Sequence, residues 1–186
     1  MLQGILDAGF ENMVAKPLFV ERKDMNSQEL SKIISEFKSL SKAGAILLGV
    51  QGGRSSEGED FPGLQMTTSI ALGMQFSRPN ALGKVQEILW RKHTRLQNPS
   101  LVNACRAAVQ AAARPVRSFR DVGFIVFADR RFSRCLTMMP EWMRAPLRYL
   151  SLGELTVAGE EFFKGKAATL LRVKDAFEGL PSGGES

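Results

Sequence analysis

The chain of 186 residues has two cysteines and one histidine, and each scarcity removes a class of chemistry. Cys105 and Cys135 stand far apart without CxxC spacing. They build neither a disulfide framework nor a four-ligand zinc site by themselves, so two buried reduced thiols are the expectation and no metal site is assigned. His93 lies among Arg91, Lys92 and Arg95 with no paired serine or carboxylate; it reads as part of a solvated face and not as a catalyst. No apolar run approaches the roughly 20 residues of a membrane span. The opening MLQGILDAGF has neither the basic start nor the cleavage site of a signal peptide, so an intracellular protein without a membrane partner is expected. There is no GxxxxGK[ST] segment, and no acidic pair follows a strand-like run in the manner of a magnesium-holding motif. The chain alone is therefore not expected to hydrolyse a nucleotide.

What is present is an ordinary globular composition, 44% hydrophobic and 24% charged, in a length suited to one compact domain. Lys and Arg number 25 against 19 Asp and Glu, a net +6 that is compatible with a polyanionic partner. The arginines are more informative than the total. Arg106, Arg114, Arg117, Arg120, Arg130, Arg131 and Arg134 fall in one stretch with few acids.

Period changes along the chain give its class. MLQGILDAGFE reads as a short helix, and PLFVE, Pro17 to Glu21, as a buried strand. In NSQELSKIISEFKSLSK, Leu30, Ile33, Ile34, Phe37 and Leu40 share a helical face, and Asn26 with Glu29 forms a capping-box pattern. GAILLGV and TTSIALGM are continuously apolar, as strands covered on both faces tend to be. Pro79 and Asn80 introduce a helix with Leu82, Val85, Ile88 and Leu89 inward. Asn98 and Pro99 form an N-cap and N1 pair for another, with Leu101, Val102, Cys105, Val109 and Ala112 along one face. Gly123 opens a fourth strand, GFIVFAD; a short turn or helix lies around PEWMRAPLRYL, and a last helix runs from about Gly153 to Phe177. The alternation predicts an α/β domain with a mostly parallel sheet flanked by helices over residues 1–150, a helical extension over 151–178 and a flexible tail over 179–186. No internal repeat and no interdomain linker is visible.

In a parallel sheet, ligands gather at the loops leaving the carboxyl ends of strands. GRSSEGEDF, QFSRPN and DRRFSR have that placement, and QAAARPVRS, Gln110 to Ser118, ends the helix entering the fourth strand. GRSSEGEDF offers the hydroxyls of Ser55 and Ser56 and the amides freed by Gly53 and Gly58, which suit phosphate oxygens. Its carboxylates suit an arginine or a water instead, so it reads either as a coupling element or as a solvated turn. Arg114 and Arg117, three residues apart around Pro115, read either as guanidiniums for the charge on a transferring phosphoryl group or as surface arginines at a helix end. Phe76, at a ligand-facing strand end, is a candidate for touching nucleic acid. Trp90 and Trp142 offer stacking faces, with packing the expectation for both.

The succession GAILLGVQGGRSSEGEDFPG, QAAARPVRS, DVGFIVFADRRFSR and PEWM resembles the second RecA-like motor domain of the XPD/DinG family of iron–sulfur superfamily-two DNA helicases, over about Ala43 to Trp142. The family's motif V, G-[KR]-x-S-E-G-x-D-F, falls on Gly53, Arg54, Ser56, Glu57, Gly58, Asp60 and Phe61. Its motif VI, Q-x-x-G-R-x-x-R, falls on Gln110, Arg114 and Arg117. Ala113 stands where that pattern has glycine, and Glu59 where it commonly has an apolar residue.

The resemblance implies the C-terminal motor half of an ATP-dependent, DNA-repair type helicase, 5′ to 3′ in polarity. ATP and magnesium would be held between this domain and a first RecA-like motor domain, and the iron–sulfur cluster would lie in the N-terminal half. Arg114 and Arg117 would be catalytic, with Gln110, Glu57 and Asp60 also on the nucleotide. Arg54, Ser55, Ser56, Phe76, Arg130, Arg131 and Arg134 would face single-stranded DNA, the arginine cluster close to Ser56, Glu57 and Asp60. The domain's first strand, carrying motif IV, would precede this sequence. A regulatory protein is a further implied partner, and the compartment would be the cytoplasm in a prokaryote or the nucleus in a eukaryote. A non-catalytic RecA-like nucleic-acid or protein-binding module is the alternative.

Overall fold

The structure is a computed structural model that describes residues 2–178 apart from Lys23, Arg54, Ser56, Glu57, 77–80, 94–98 and 119–120; of Arg91, His93 and residues 167–178 only the backbone is described. Two short helices, α1 (Leu2–Asp7) and α2 (Phe10–Met13), open the chain. They are two and not one because Gly9 sits at φ 72°, a left-handed conformation that stops the first helix. Then follow β1 (Leu18–Val20), α3 (Ser27–Ser39), β2 (Ile46–Leu48), a 3-10 turn at Gly63–Gln65, β3 (Thr68–Leu72), α4 (Ala81–His93), α5 (Pro99–Ala112) and β4 (Phe124–Ala128). A 3-10 run over Arg130–Met138, α6 (Glu141–Arg144) and α7 (Leu152–Glu178) complete it.

All observed strand pairing is parallel. β1 pairs with β2, Leu18 opposite Ile46, and β3 pairs with β4, Thr68 opposite Phe124. The expected α/β class with parallel strands and flanking helices therefore holds. The expected single sheet is, among the described residues, two separate two-stranded ladders.

Each ladder has its own core. Around β1 and β2, Leu30, Ile34 and Phe37 of α3 close over Phe61, with Phe19 and Leu47 against them. Helix α3 starts where the sequence says. The Asn26 side chain accepts the N–H groups of Gln28 and Glu29, both at 2.9 Å, and the Glu29 carboxylate accepts the Asn26 N–H at 2.9 Å. Around β3 and β4, Ala104, Cys105 and Ala108 of α5 meet Met74, Phe132, Cys135, Met139 and Met143. The small residues of α5 let the 3-10 run approach its backbone closely.

Three expectations are corrected. Leu82, Val85, Ile88 and Leu89 of α4 do not point inward but are exposed, as Ile70 and Leu72 of β3 are. The amphipathic pattern marks the apolar face correctly, but its side chains stay at least half exposed. Trp90 and Trp142, expected to pack, are 36% and 48% exposed. The cysteines are not separate thiols. Cys105 and Cys135 are fully buried and joined as a disulfide, their Cα atoms 5.4 Å apart, a distance within the range a disulfide spans.

Helix α7 begins at Leu152, with a reciprocal cap in which Ser151 gives N–H and O–H to the Glu154 carboxylate, each at 2.7 Å. The Ser151 backbone N–H, above all, pulls the Glu154 carboxyl below its ordinary range. Phe162 and Phe163 then stack against Phe124 at 5.3 and 6.1 Å between centroids. No helix among the described residues is long and apolar enough to cross a membrane, and the tail over 179–186 lies outside the described residues.

The disulfide carries the first prediction. Denatured without reductant, the chain should present no thiol to iodoacetamide. Reduction should lower its stability by roughly 3–4 kcal/mol, the loop-closure figure for a crosslink of this span. Two reactive thiols in the unreduced, denatured chain would overturn the pairing.

Candidate functional site

The loop after β2 is shaped first by its own backbone. Gly53 N–H closes onto the Val50 carbonyl at 2.7 Å while Gly52 takes φ 80°, the left-handed third position of a type II turn. The turn brings Ser55 back over the strand end, where its hydroxyl donates to Glu21 and is buried. Farther on, Phe61 is 1% exposed and meets the Phe37 ring edge-on at 5.8 Å. Beside it, Lys38 of α3 pairs with Glu59 at 2.8 Å and lies over the Phe61 ring, 5.0 Å from its centroid. Arg54, Ser56 and Glu57 lie outside the described residues.

The end of α5 reaches this loop. Gln110 is exposed on the helix, and Ala113 is half-buried against the second core. The Arg114 guanidinium donates to the Glu59 carbonyl oxygen, and the Arg117 guanidinium pairs with Asp60 at 3.3 Å. Fully buried Pro115 between them holds the turn in place. Beyond it, Asp121 Oδ2 accepts the N–H groups of Arg117 and Ser118 at 2.8 and 2.7 Å. Two segments more than fifty residues apart in sequence, Glu59–Asp60 and Arg114–Arg117, are thus joined by direct contacts. Arg117 keeps 47% of its side chain exposed and meets Asp60 through Nε, so that contact does not use its terminal N–H groups.

The arginine cluster has a different setting. Arg131 forks onto Asp129, Nε donating to both carboxylate oxygens at 3.0 and 2.9 Å and Nη2 to Oδ2 at 2.5 Å. Its guanidinium carbon lies over Phe76, 5.7 Å from the ring centroid. Arg131 is therefore held by Asp129 and Phe76 at the carboxyl ends of β3 and β4, and among the described residues it has no bond to the loop after β2. Arg130 and Arg134 are exposed and have no carboxylate partner among the described residues. No group of three metal-ligating side chains occurs among the described residues.

With this geometry established, the comparisons with known proteins are decisive. A family model for the helicase C-terminal domain matches residues 5–146. The chain belongs to the helicase C-terminal domain family. Within it, the XPD/RAD3 helicase subunit of general transcription and DNA repair factor IIH from Saccharomyces cerevisiae is 32% identical over 145 residues, 75% of this chain and 18% of that protein. ATP-dependent DNA helicase CHL1 from Coccidioides immitis is 29% identical over 177 residues, 83% of this chain and 20% of the relative. Regulator of telomere elongation helicase 1 from Bos taurus is 28% identical over 173 residues, 84% and 14% respectively. The chain spans about a fifth or less of the length of these relatives. Its parallel strands and flanking helices fit a RecA-like helicase C-terminal domain of the XPD kind.

Sequence reasoning did not single out the residues that hold the helicase domain's motifs in place: Glu21, Lys38, Asp121 and Asp129. Glu21 and Lys38 are long-range partners of the loop with no motif of their own. Asp121 and Asp129 carry a local signal, a carboxylate a few residues from arginines on a turn.

Asp129 gives the pH prediction. The Arg131 side-chain hydrogen bonds first, then the Arg131 backbone N–H, lower its carboxyl to about 2. A folded value below the unfolded one stabilises the fold fully above the ordinary carboxylate range, and the contribution fades as pH falls toward 2. In an NMR titration Asp129 should titrate near 2 and move upward in R131Q; an ordinary aspartate midpoint in the native chain would contradict the fork.

Proposed function

We propose that the chain is the second motor half of an ATP-dependent DNA helicase of the repair type, translocating 5′ to 3′ on single-stranded DNA. One observation carries this reading: the arginines suited to a phosphoryl group, Arg114 and Arg117, are bonded to Glu59 and Asp60 of the loop whose neighbours suit DNA. When bound, ATP with magnesium supplies the free energy of the cycle. The chain's share is to present the exposed N–H groups of Arg117, with Gln110 beside them, toward phosphate oxygens. Glu57 completes the nucleotide side in this reading, and Arg54 and Ser56 the DNA side. Exposed Arg130 and Arg134, with the Arg131 guanidinium over Phe76, form a basic and aromatic patch suited to a nucleic-acid backbone and a stacked base.

The first motor domain, with its phosphate loop, is assigned to another segment or subunit, and without it the chain is inactive. The iron–sulfur cluster is assigned there as well, since Cys105 and Cys135 are engaged with each other. Residues 1–150 are taken as the motor domain and 151–178 as its extension. DNA as substrate places the protein inside the cell, in the cytoplasm of a prokaryote or the nucleus of a eukaryote. A binding module without ATP turnover, or a docking surface for a regulatory protein, is favoured by the exposed apolar face of α4.

Arg117→Ala separates the readings. Assembled with the first motor domain, the variant should lose about a thousandfold or more of kcat for ATP, the span of an arginine finger, while folding and DNA binding stay nearly intact. Retained turnover would remove the assignment. Charge removal in R130Q/R134Q should instead weaken DNA binding alike for all sequences and flatten its salt dependence by about one unit per lost phosphate contact; an unchanged slope would place DNA elsewhere.

A further inference from the structure

We propose that Glu21 is the positioning residue of the motif V loop, a carboxylate around which that loop is folded. Its backbone N–H extends the β1 ladder by one residue, donating to the Leu48 carbonyl at 2.9 Å. The side chain then leans across the carboxyl end of β2 and is buried. Oε2 accepts the Val50 N–H at 3.3 Å and the Ser55 hydroxyl. Two glycines make room for it. A Cβ at Gly53 would lie 2.6 Å from Oε1 and 2.9 Å from Oε2, and one at Gly49 would lie 3.3 Å from Oε2 and 2.5 Å from the Ser55 oxygen. A Cβ at Gly53 would also lie 2.8 Å from the Val50 carbonyl oxygen, so glycine at 53 serves both the turn and the carboxylate, while glycine at 49 leaves room chiefly for the Ser55 hydroxyl that reaches Glu21.

The physical argument is one of satisfied burial. A buried carboxylate is tolerated only where donors converge on it, and here the donors come from the loop itself. The loop therefore gains its shape by satisfying Glu21, and Glu21 is satisfied only when the loop has that shape. Its far end is fixed independently, by buried Phe61 and by Arg114 and Arg117. Between these two anchors lie the positions that the motor reading directs at nucleotide and DNA. The inference rests on that reading for its functional part: Glu21 touches neither ligand, and acts by holding the segment that does.

Hydrogen exchange on this chain tests the anchor, and turnover of the chain assembled with its first motor domain tests the consequence. In E21A, exchange across residues 49–58 should quicken about tenfold or more while α5 and β4 keep their protection. DNA-stimulated kcat should fall about 10- to 100-fold, the cost of a small misplacement, with KM for ATP within a factor of about three. E21Q, which keeps an acceptor oxygen in the same volume, should recover most of both. If E21A fails to fold, S55A carries the same test, since it removes one donor and leaves the carboxylate its others. Unchanged exchange, or unchanged kcat in E21A where R117A is dead, overturns the role of Glu21 and leaves the motor reading standing. Turnover surviving in R117A overturns both.

Discussion

The functional geometry depends on a junction that is nearly worthless for stability. Arg117 and Asp60 are both substantially exposed, at 3.3 Å and with a single contact, and such pairs contribute about 0–1 kcal/mol. What anchors the loop is instead the burial of Phe61 under Phe37, with Phe19 edge-on to Phe37 at 6.1 Å, and the loop meets the end of α5 through the Arg114 hydrogen bond to the Glu59 carbonyl. Burying an aromatic ring of this size is worth roughly 1.5–3 kcal/mol. Adhesion and pairing are thus separated: an apolar anchor fixes the segment, and the Arg117–Asp60 pair beside it stays weak. On the motor reading proposed above, that weakness is what would let the guanidinium exchange a carboxylate for phosphate oxygens.

The same division explains the two ladders. Among the described residues β2 and β3 share no backbone hydrogen bonds, so coherence across the domain comes from side chains and loops and not from one continuous sheet. The second ladder is locked by its own means, small residues of α5 against the 3-10 run and the Cys105–Cys135 bond through the middle of that contact. Arg114, just past the end of α5, is mounted on this rigid half, and the Glu59 carbonyl it grips belongs to the other.

Most of this was legible where the signal is local. The capping box of Asn26 and Glu29, the apolar stripe of α3, and the four strands within about two residues all follow from short-range pattern. Periodicity reports which face of a segment is apolar, but it does not report whether the chain supplies something to cover it. That is why α4 and one face of β3 were expected inside and stand exposed. The order of GRSSEGEDF and QAAARPVRS was readable too, but not their bond, since proximity across 55 residues follows from the fold and not from spacing. Glu21 was the least legible, a carboxylate closing a short strand whose partner Ser55 lies 34 residues on.

The departures from the family pattern show how such sites tolerate change. Glu59 occupies a position commonly apolar, and a partly buried carboxylate there needs a counter-charge. Lys38 provides it at 2.8 Å, from the helix turn next to Phe37, while its ammonium rests on the Phe61 ring. The charge is therefore neutralised by α3, not by the arginines of α5, and Arg114 uses the backbone carbonyl of Glu59, an acceptor that every residue type has. The side chain at 59 is free to vary because the contact that matters to Arg114 does not pass through it. Ala113 follows the same logic: its methyl is packed against the second core, the half that is already rigid.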